Sequence, residues 1–267
     1  MDWIIGDIHG CLDQLTAILR EIGRHDPDPQ YYFTGDYCNR GPNSKGVVDQ
    51  ILDLGIRAHP IRGNHDDCFD AILRGELTEY NDPKHASSTP EIAYWFTRFG
   101  LGPTFSSYGA TDEEFDNNRS TVTKLKVLTD KVPPTHHLFY RTLPLFIETP
   151  DFFIAHAYLP RDIPMSEVAG AIEGRIISDG MLWHRFDMVQ IMNPKIWGKV
   201  GYFGHTPTHT YSEEFRHRII RGMDMVLLDT GVAYKNGALT AICHQTNLIL
   251  TCHNQSVKVA VIPYPTC

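Results

Sequence analysis

The chain has 267 residues, 21% of them charged and 42% hydrophobic, an ordinary make-up for one large globular domain rather than two. Its formal net charge of −8 argues against a nucleic-acid backbone as main partner, although bound divalent cations would still admit an anionic substrate. No apolar run approaches the roughly 20 residues of a membrane span, and the six cysteines show neither CxxC spacing nor a short disulfide framework.

Residues 2–5 carry Trp3, Ile4 and Ile5 and read as a short buried strand. Met1-Asp2-Trp3 leads into it without a basic leader, so a cytoplasmic protein with reduced thiols is expected. The strand runs into Gly6-Asp7-Ile8-His9-Gly10. Period-two spacing points Asp7 and His9 the same way, and the glycines let the chain turn sharply. Asp7 alone would equally serve as a helix cap. Leu12, Leu15, Ile18, Leu19 and Ile22 then recur at helical spacing, with Gly23 where a C-terminal cap belongs. A second strand at 31–34 ends in Gly35-Asp36, and Ser44 opens a helix whose apolar face holds Val47, Val48, Ile51 and Leu52. A third strand at 57–61 ends in Arg62-Gly63-Asn64-His65-Asp66. Strand, polar turn and helix, repeated three times, predict a parallel α/β core with its site at the carboxyl ends of the strands.

Prolines 83, 90, 103, 133 and 134 break that rhythm between about residues 75 and 141, around helical pieces such as 91–99. This region is expected to be a helical cap insertion over the site, within a single domain of residues 1–267. Residues 145–147 and 152–155 predict a hairpin ending in His156, and 200–203 a strand ending in Gly204-His205. From Ile219 onward short strands alternate with turns, including the Asn236-Gly237 hairpin signal. The second half is therefore expected to be mostly antiparallel sheet packed on the first.

The side chains at these strand ends are Asp7, His9, Asp36, Asn64, His156 and His205. Six oxygen and nitrogen donors are too many for one metal with open positions and suit two. If one carboxylate bridges, the metals would sit roughly 3.5–4 Å apart, the spacing of two-metal hydrolytic sites. The donor set suits manganese first, with iron or zinc as alternatives, and the lack of thiolate disfavours iron–sulfur or structural zinc. Two such ions would clamp a phosphoryl group and turn a bridging water into a nucleophile for in-line attack. His65 would then serve the leaving oxygen as acid, and Arg40 and Arg185 would hold the phosphate.

Five segments in order carry a resemblance: Gly6-Asp7-Ile8-His9-Gly10, Gly35-Asp36-Tyr37-Cys38-Asn39-Arg40-Gly41, Gly63-Asn64-His65-Asp66, Ala155-His156-Ala157 and Gly204-His205-Thr206-Pro207. Together they resemble the calcineurin-like metallophosphoesterases, and within them the phosphoprotein phosphatases of bacteria and bacteriophages. Trp95-Phe96 with Gly100, Thr104 and Ser107-Tyr108-Gly109 is similar to their cap segment. Leu182-Trp183-His184-Arg185 resembles their second phosphate-arginine motif, and Leu228-Asp229-Thr230-Gly231 their late strand. The resemblance implies a β-sandwich flanked by helices in α/β/β/α layers. It puts Asp7, His9 and a bridging Asp36 on one metal, and Asp36, Asn64, His156 and His205 on the other. It makes His65 the acid and Arg40 and Arg185 the phosphate ligands. The implied activity is dinuclear metal-dependent hydrolysis of phosphate monoesters, on phosphoserine or phosphothreonine proteins.

Three departures bear on substrate. Asn39 stands where those phosphatases have the aspartate that supports the catalytic histidine, and it supplies no charge to raise the His65 pKa. Asp66 stands where they have glutamate. Both features resemble the symmetrical diadenosine tetraphosphate hydrolases, which are the alternative reading. Ala157-Tyr158 replaces Ala-Gly, so Tyr158 would line or crowd the pocket, and Tyr234 would line the cleft or fill core. His184 and His209 flank motif residues, and the remaining histidines outside the motifs are left as surface or core. A non-catalytic phosphoprotein-binding module on this fold should have lost ligands, and a nucleic-acid end-processing enzyme should carry a basic stripe. Neither expectation fits these residues. The expected partner is a phosphoprotein or a small phosphorylated molecule, with no nucleic acid and no membrane.

Overall fold

The computed structural model of the chain describes residues 1–76, 99–115, 126–127, 129–175, 177–193 and 197–261. Its first half alternates β1 (Asp2–Ile5), α1 (Leu12–His25), β2 (Gln30–Phe33), α2 (Ser44–Asp53), β3 (Ala58–Pro60) and α3 (Asn64–Leu73). Next come α4 (Leu101–Ser107), α5 (Pro134–Thr142), β4 (Phe146–Glu148) and β5 (Phe152–Ala155). α6 (Met165–Glu173), α7 (Ser178–Trp183) and α8 (Met188–Met192) lead into β6 (Val200–Phe203), β7 (Ile220–Arg221) and β8 (Met225–Leu227). β9 (Leu239–Cys243), β10 (Leu248–His253) and β11 (Ser256–Val261) follow. Among the described residues no helix is long and apolar enough to cross a membrane.

The strands form two sheets, ordered β11-β10-β9-β1-β2-β3 and β4-β5-β6-β8-β7. β1, β2 and β3 are parallel to one another, as are β5, β6 and β8. Alternation along the strands explains how the sheets stack. Ile4, Ile154, Tyr202 and Ile242 turn inward to a core shared by both sheets. Trp3, Ile5 and Ala241 face outward to α1 and its neighbours, while Phe153, Ala155 and Phe203 face outward to a third cluster with Val168 and Met181. The result is the layered α/β/β/α sandwich that the motif order implies.

Two expectations are corrected and one is qualified. Most pairings of the second half are antiparallel, as expected, but β5, β6 and β8 are parallel to one another, and β9 to β11 extend the first sheet through β1 instead of packing on it. Short apolar runs do not say which sheet they will join, and helices α6 to α8 supply the crossover that parallel pairing needs. α1 does not stop at Gly23 but runs to His25, capped by Asp26 in extended backbone. The stop is tertiary, since Asp26 accepts the indole N–H of Trp3 at 3.0 Å. Asn236-Gly237 closes a turn ahead of β9, whereas the tight hairpin lies between β10 and β11. There Asn254 and Gln255 both hold positive φ, the requirement of a type I′ turn.

The helical piece read at 91–99 and the Trp95-Phe96 pair lie, except for Phe99, outside the described residues. Within the proposed cap region, α4 and α5 bury Phe105, Phe139 and Tyr140 in the same cluster as Phe69 of α3. Among the described residues of that region, Phe99 and Gly100 line the cleft described next.

Candidate active site

Each parallel strand hands a polar side chain to one edge of the sandwich. β1 leads to Asp7 and His9, β2 to Asp36, β3 to Asn64 and His65 in the first turn of α3, β5 to His156, β6 to His205 and β8 to Asp229. All but His205 are at most 4% exposed. His9, Asp36, Asn39, Arg40 and His205 hold left-handed backbone, with φ between 47° and 71°. That region disfavours side chains with a Cβ, and such strain concentrates at functional sites. Asp66 helps to hold it: one carboxylate oxygen accepts Asp36 N–H at 2.7 Å and Gly63 N–H at 2.9 Å, the other Tyr37 N–H at 2.9 Å.

The side chains converge on Asp36. Its Oδ2 lies 3.5 Å from His9 Nε2 and 4.0 Å from His65 Nε2, and its Oδ1 lies 3.6 Å from His156 Nε2. Asn64 Oδ1 is 2.9 Å from His156 Nε2 and 3.1 Å from His205 Nδ1. Asp7 accepts from Thr34 Oγ1 at 2.9 Å and from His205 N–H at 2.8 Å. His9 Nδ1 faces the Cys38 carbonyl at 3.0 Å and His156 Nδ1 the Thr34 carbonyl at 2.7 Å. A carbonyl only accepts, so in both rings Nδ1 carries the proton and Nε2 presents a lone pair to the oxygens around Asp36.

Lone pairs that face carboxylate oxygens need a cation between them, and the charges give the same answer. Burial pushes the Asp7 and Asp36 carboxyls well above the usual range, helped by Asp229 beside Asp7 and Asp66 beside Asp36. Asp66 and Asp229 are lifted by burial to about 6. Burial also holds His156 down at about 4, and His9, His65 and His205 well below their ordinary value. Neutral imidazoles and crowded carboxyls are the donor set of divalent metals. Among the described residues two groups meet that geometry, with ligand atoms within 4.8 Å of one another: His9, Asp36 and His65, and Asp7, Asp36 and His156. Asp36 is common to both.

Beside these groups lies a cleft of about 630 Å³ lined by Asp36, Arg40, Asn64, His65, Phe99, Gly100, Trp183, Arg185, His205 and Tyr234. Arg40 Nη2 is 3.2 Å from His65 Nε2, and Arg40 Nη1 donates to the Tyr234 hydroxyl at 2.6 Å. Asn39 Nδ2 is 3.0 Å from His65 Nδ1. The structure thus gathers every site residue named from the sequence except Tyr158. Its ring packs on Phe186 with centroids 4.7 Å apart, against the cluster of Phe153 and Phe203, and it is not among the residues that line the cleft. His184 stacks edge-on against Tyr158 and His209 against Tyr234. Sequence reasoning missed Thr34, whose hydroxyl and carbonyl orient Asp7 and His156, and the ring of Phe99, 4.8 Å from that of His65. Only the place of Thr34 between the β2 run and Gly35 hinted at it.

Gly204 shows how tightly the edge is built. A Cβ there would fall on Asp7 Oδ1 and lie 2.7 Å from Thr34 Oγ1. Gly204→Ala is expected to cost about 1–3 kcal/mol by overpacking and to weaken metal binding by roughly 10- to 100-fold. Thermal denaturation and metal titration check this, and a wild-type metal affinity would show that Asp7 had not been displaced.

A calcineurin-like phosphoesterase family model matches residues 3–208. A symmetrical bis(5'-nucleosyl)-tetraphosphatase of Yersinia enterocolitica is 36% identical over 106 residues, 36% of this chain and 35% of that protein. Its namesake in Serratia proteamaculans is 32% identical over 103 residues, 36% of each chain. The matched stretch thus spans about a third of these relatives. A solved structure described as a candidate diadenosine tetraphosphatase superposes with a TM-score of 0.55 at 20% identity, over 94% of this chain and 92% of that one, a likeness of fold. With the family model matched over more than half its length and the motif-bearing strand ends gathered at one edge, the chain belongs to the calcineurin-like phosphoesterases.

Proposed function

We propose that the protein hydrolyses phosphoanhydride bonds of dinucleoside polyphosphates such as diadenosine tetraphosphate, using two divalent cations. This reverses the order of the two substrates expected from the motifs. The observation that carries it is the contact between Asn39 and His65 Nδ1 at 3.0 Å, an uncharged amide at the nitrogen where the phosphoprotein phosphatases have a carboxylate. A nucleotide phosphate leaves readily without full protonation, whereas the alkoxide of a serine or threonine does not. The names of the two tetraphosphatase relatives support the same substrate class.

In this reading Asp7, His9 and Asp36 hold one cation and Asp36, Asn64, His156 and His205 the other, manganese first, with iron or zinc as alternatives. When bound, the pair supplies polarisation of the phosphoryl group and activation of a water. Arg40 and Arg185 hold phosphate oxygens from the cleft wall, and His65 serves the leaving oxygen. Tyr234 aligns Arg40 through its hydroxyl. The chain acts as one domain, with the region of about 75–141 as its cap.

A phosphoprotein substrate is the second reading, favoured by the exposed Arg185 after Trp183 at the mouth of the cleft. Turnover with Mn²⁺ on diadenosine tetraphosphate, a phosphoserine peptide and an aryl phosphate separates the two. Preference for the phosphoserine peptide would reject the proposal. Asn39→Asp should raise activity on the phosphoserine peptide more than on the other two substrates, because a carboxylate favours the protonated ring. Equal changes on all three substrates would mean that Asn39 does not tune His65.

A further inference from the structure

Asn39 and Arg40 are a consecutive pair in left-handed backbone, with φ of 71° and 69°. Asparagine tolerates that region, whereas a residue with the long side chain of Arg40 disfavours it. The pair is held from outside its own loop, by the start of α4. The Gly100 carbonyl accepts Arg40 N–H at 2.8 Å, and Thr104 Oγ1 accepts Asn39 N–H at 2.8 Å. Thr104 is fully buried, and its hydroxyl lies 2.9 Å from Ser44 Oγ, which ties it to α2 as well. Both bonds join segments far apart in the sequence, so the pair takes its shape only when α4 is docked.

Gly100 does more than accept a hydrogen bond. Its own φ is 66°, and its bare Cα packs against the backbone of Arg40. A Cβ there would lie 3.0 Å from both the N and the Cα of Arg40 and 3.2 Å from its Cγ. One of the two segments would have to shift, and Arg40 is the one already held against its preference. The far end of its side chain has a separate anchor, since Nη1 donates to the Tyr234 hydroxyl at 2.6 Å. Arg40 is thus pinned at its backbone by the start of α4 and at its guanidinium by Tyr234. The neighbouring metal-ligand position has a different support: Asp66 accepts the N–H groups of Asp36 and Tyr37.

We propose that Gly100 and Thr104 are positioning residues that clamp the left-handed Asn39-Arg40 pair and so aim the Arg40 guanidinium at a phosphate oxygen. The inference deepens the proposed function and rests on Arg40 being a phosphate ligand there. It gives the cap region a task in the reaction, because the docking of α4 sets the grip on the oxyanion. One short loop then carries two independent fixtures, Asp66 for the metal ligand and α4 for the arginine. Damage to the α4 fixture should therefore weaken phosphate binding and leave metal binding alone.

Inorganic phosphate titrated calorimetrically into the Mn²⁺-loaded full chain is the probe. Gly100→Ala should weaken phosphate about tenfold and lower kcat on diadenosine tetraphosphate roughly 10²-fold, with bound Mn²⁺ unchanged. Thr104→Val should weaken phosphate by less, about threefold, because Asn39 N–H keeps a longer bond to Ser44 Oγ at 3.3 Å. Thr104→Ser should stay at wild type. Since Gly100 acts through Arg40, Gly100→Ala should change phosphate affinity no further once Arg40 is alanine. A crystal structure of Gly100→Ala should show the Arg40 guanidinium drawn away from the Tyr234 hydroxyl. Additive losses in the double variant, wild-type phosphate affinity in Gly100→Ala, or Arg40 still on Tyr234 would overturn the proposal. If Gly100→Ala does not fold, Thr104→Val takes its place in both the double variant and the crystal. An Arg40→Ala enzyme that binds phosphate and turns over like wild type would reject Arg40 as a phosphate ligand instead, and the crystal structure would still judge whether α4 aims the side chain.

Discussion

Replacing Asp36 by asparagine is expected to lower turnover on the order of 10³-fold or more and to cost more bound metal than any other single change in the donor set. Asp36 is the carboxylate common to both groups of donors, so its loss weakens both. In metal-free protein the effect on stability should have the opposite sign. The Asp36 carboxyl is raised above its usual pKa, mainly by burial and then by Asp66. A raised carboxyl keeps in the folded state a proton that the unfolded chain releases. Stability therefore falls as pH climbs above the unfolded value of about 3.9 and through the folded one. Asparagine buries no charge and keeps an oxygen for the backbone N–H of His65, which Asp36 Oδ1 accepts at 2.9 Å. The chelated Asp36→Asn protein should melt above chelated wild type at about pH 8, and below wild type once Mn²⁺ is restored. Calorimetry with and without chelator, alongside metal analysis, checks both signs. Two tightly held ions and near-normal turnover in Asp36→Asn would remove the shared-ligand assignment.

Arg185→Ala should lower kcat by about 10²- to 10³-fold on every phosphate substrate, the cost of one lost donor to a developing charge. Metal content should stay at the wild-type level, since Arg185 is not among the proposed ligands. Its side chain is exposed at the cleft, so stability should move by no more than about 0.5 kcal/mol. Arg185→Lys should recover only part of the rate, because an ammonium cannot make the two parallel hydrogen bonds of a guanidinium. Steady-state kinetics with a melting curve for each variant tests this. Wild-type turnover in Arg185→Ala would show that the cleft holds its phosphate without it.

The strand ends were legible because the donors follow short apolar runs, four of them directly after a glycine (Gly6-Asp7, Gly35-Asp36, Gly63-Asn64 and Gly204-His205), and the periodicity locates such runs well. Sheet membership was not. β6 and β9 are alike as short apolar runs, yet one pairs in parallel with β5 and the other antiparallel with β1. That choice depends on where α6 to α8 carry the chain. Thr104 could not be placed by spacing, because the bond to Asn39 spans 65 residues and depends on how α4 packs. Tyr158 was misplaced for a similar reason: following a metal-ligand motif does not decide on which side of the chain a ring will find its aromatic neighbour, here Phe186.

The bond from His205 N–H to Asp7 spans 198 residues, and the other donors lie between those two positions in the chain. Such a site exists only after both sheets have formed and docked, because the entropy of closing so long a loop is lost before any donor meets another. A cation cannot gather these groups from the unfolded chain and so cannot hasten folding. A cation bound there would fasten the finished sandwich at one edge, and its influence would fall on how slowly the native protein opens.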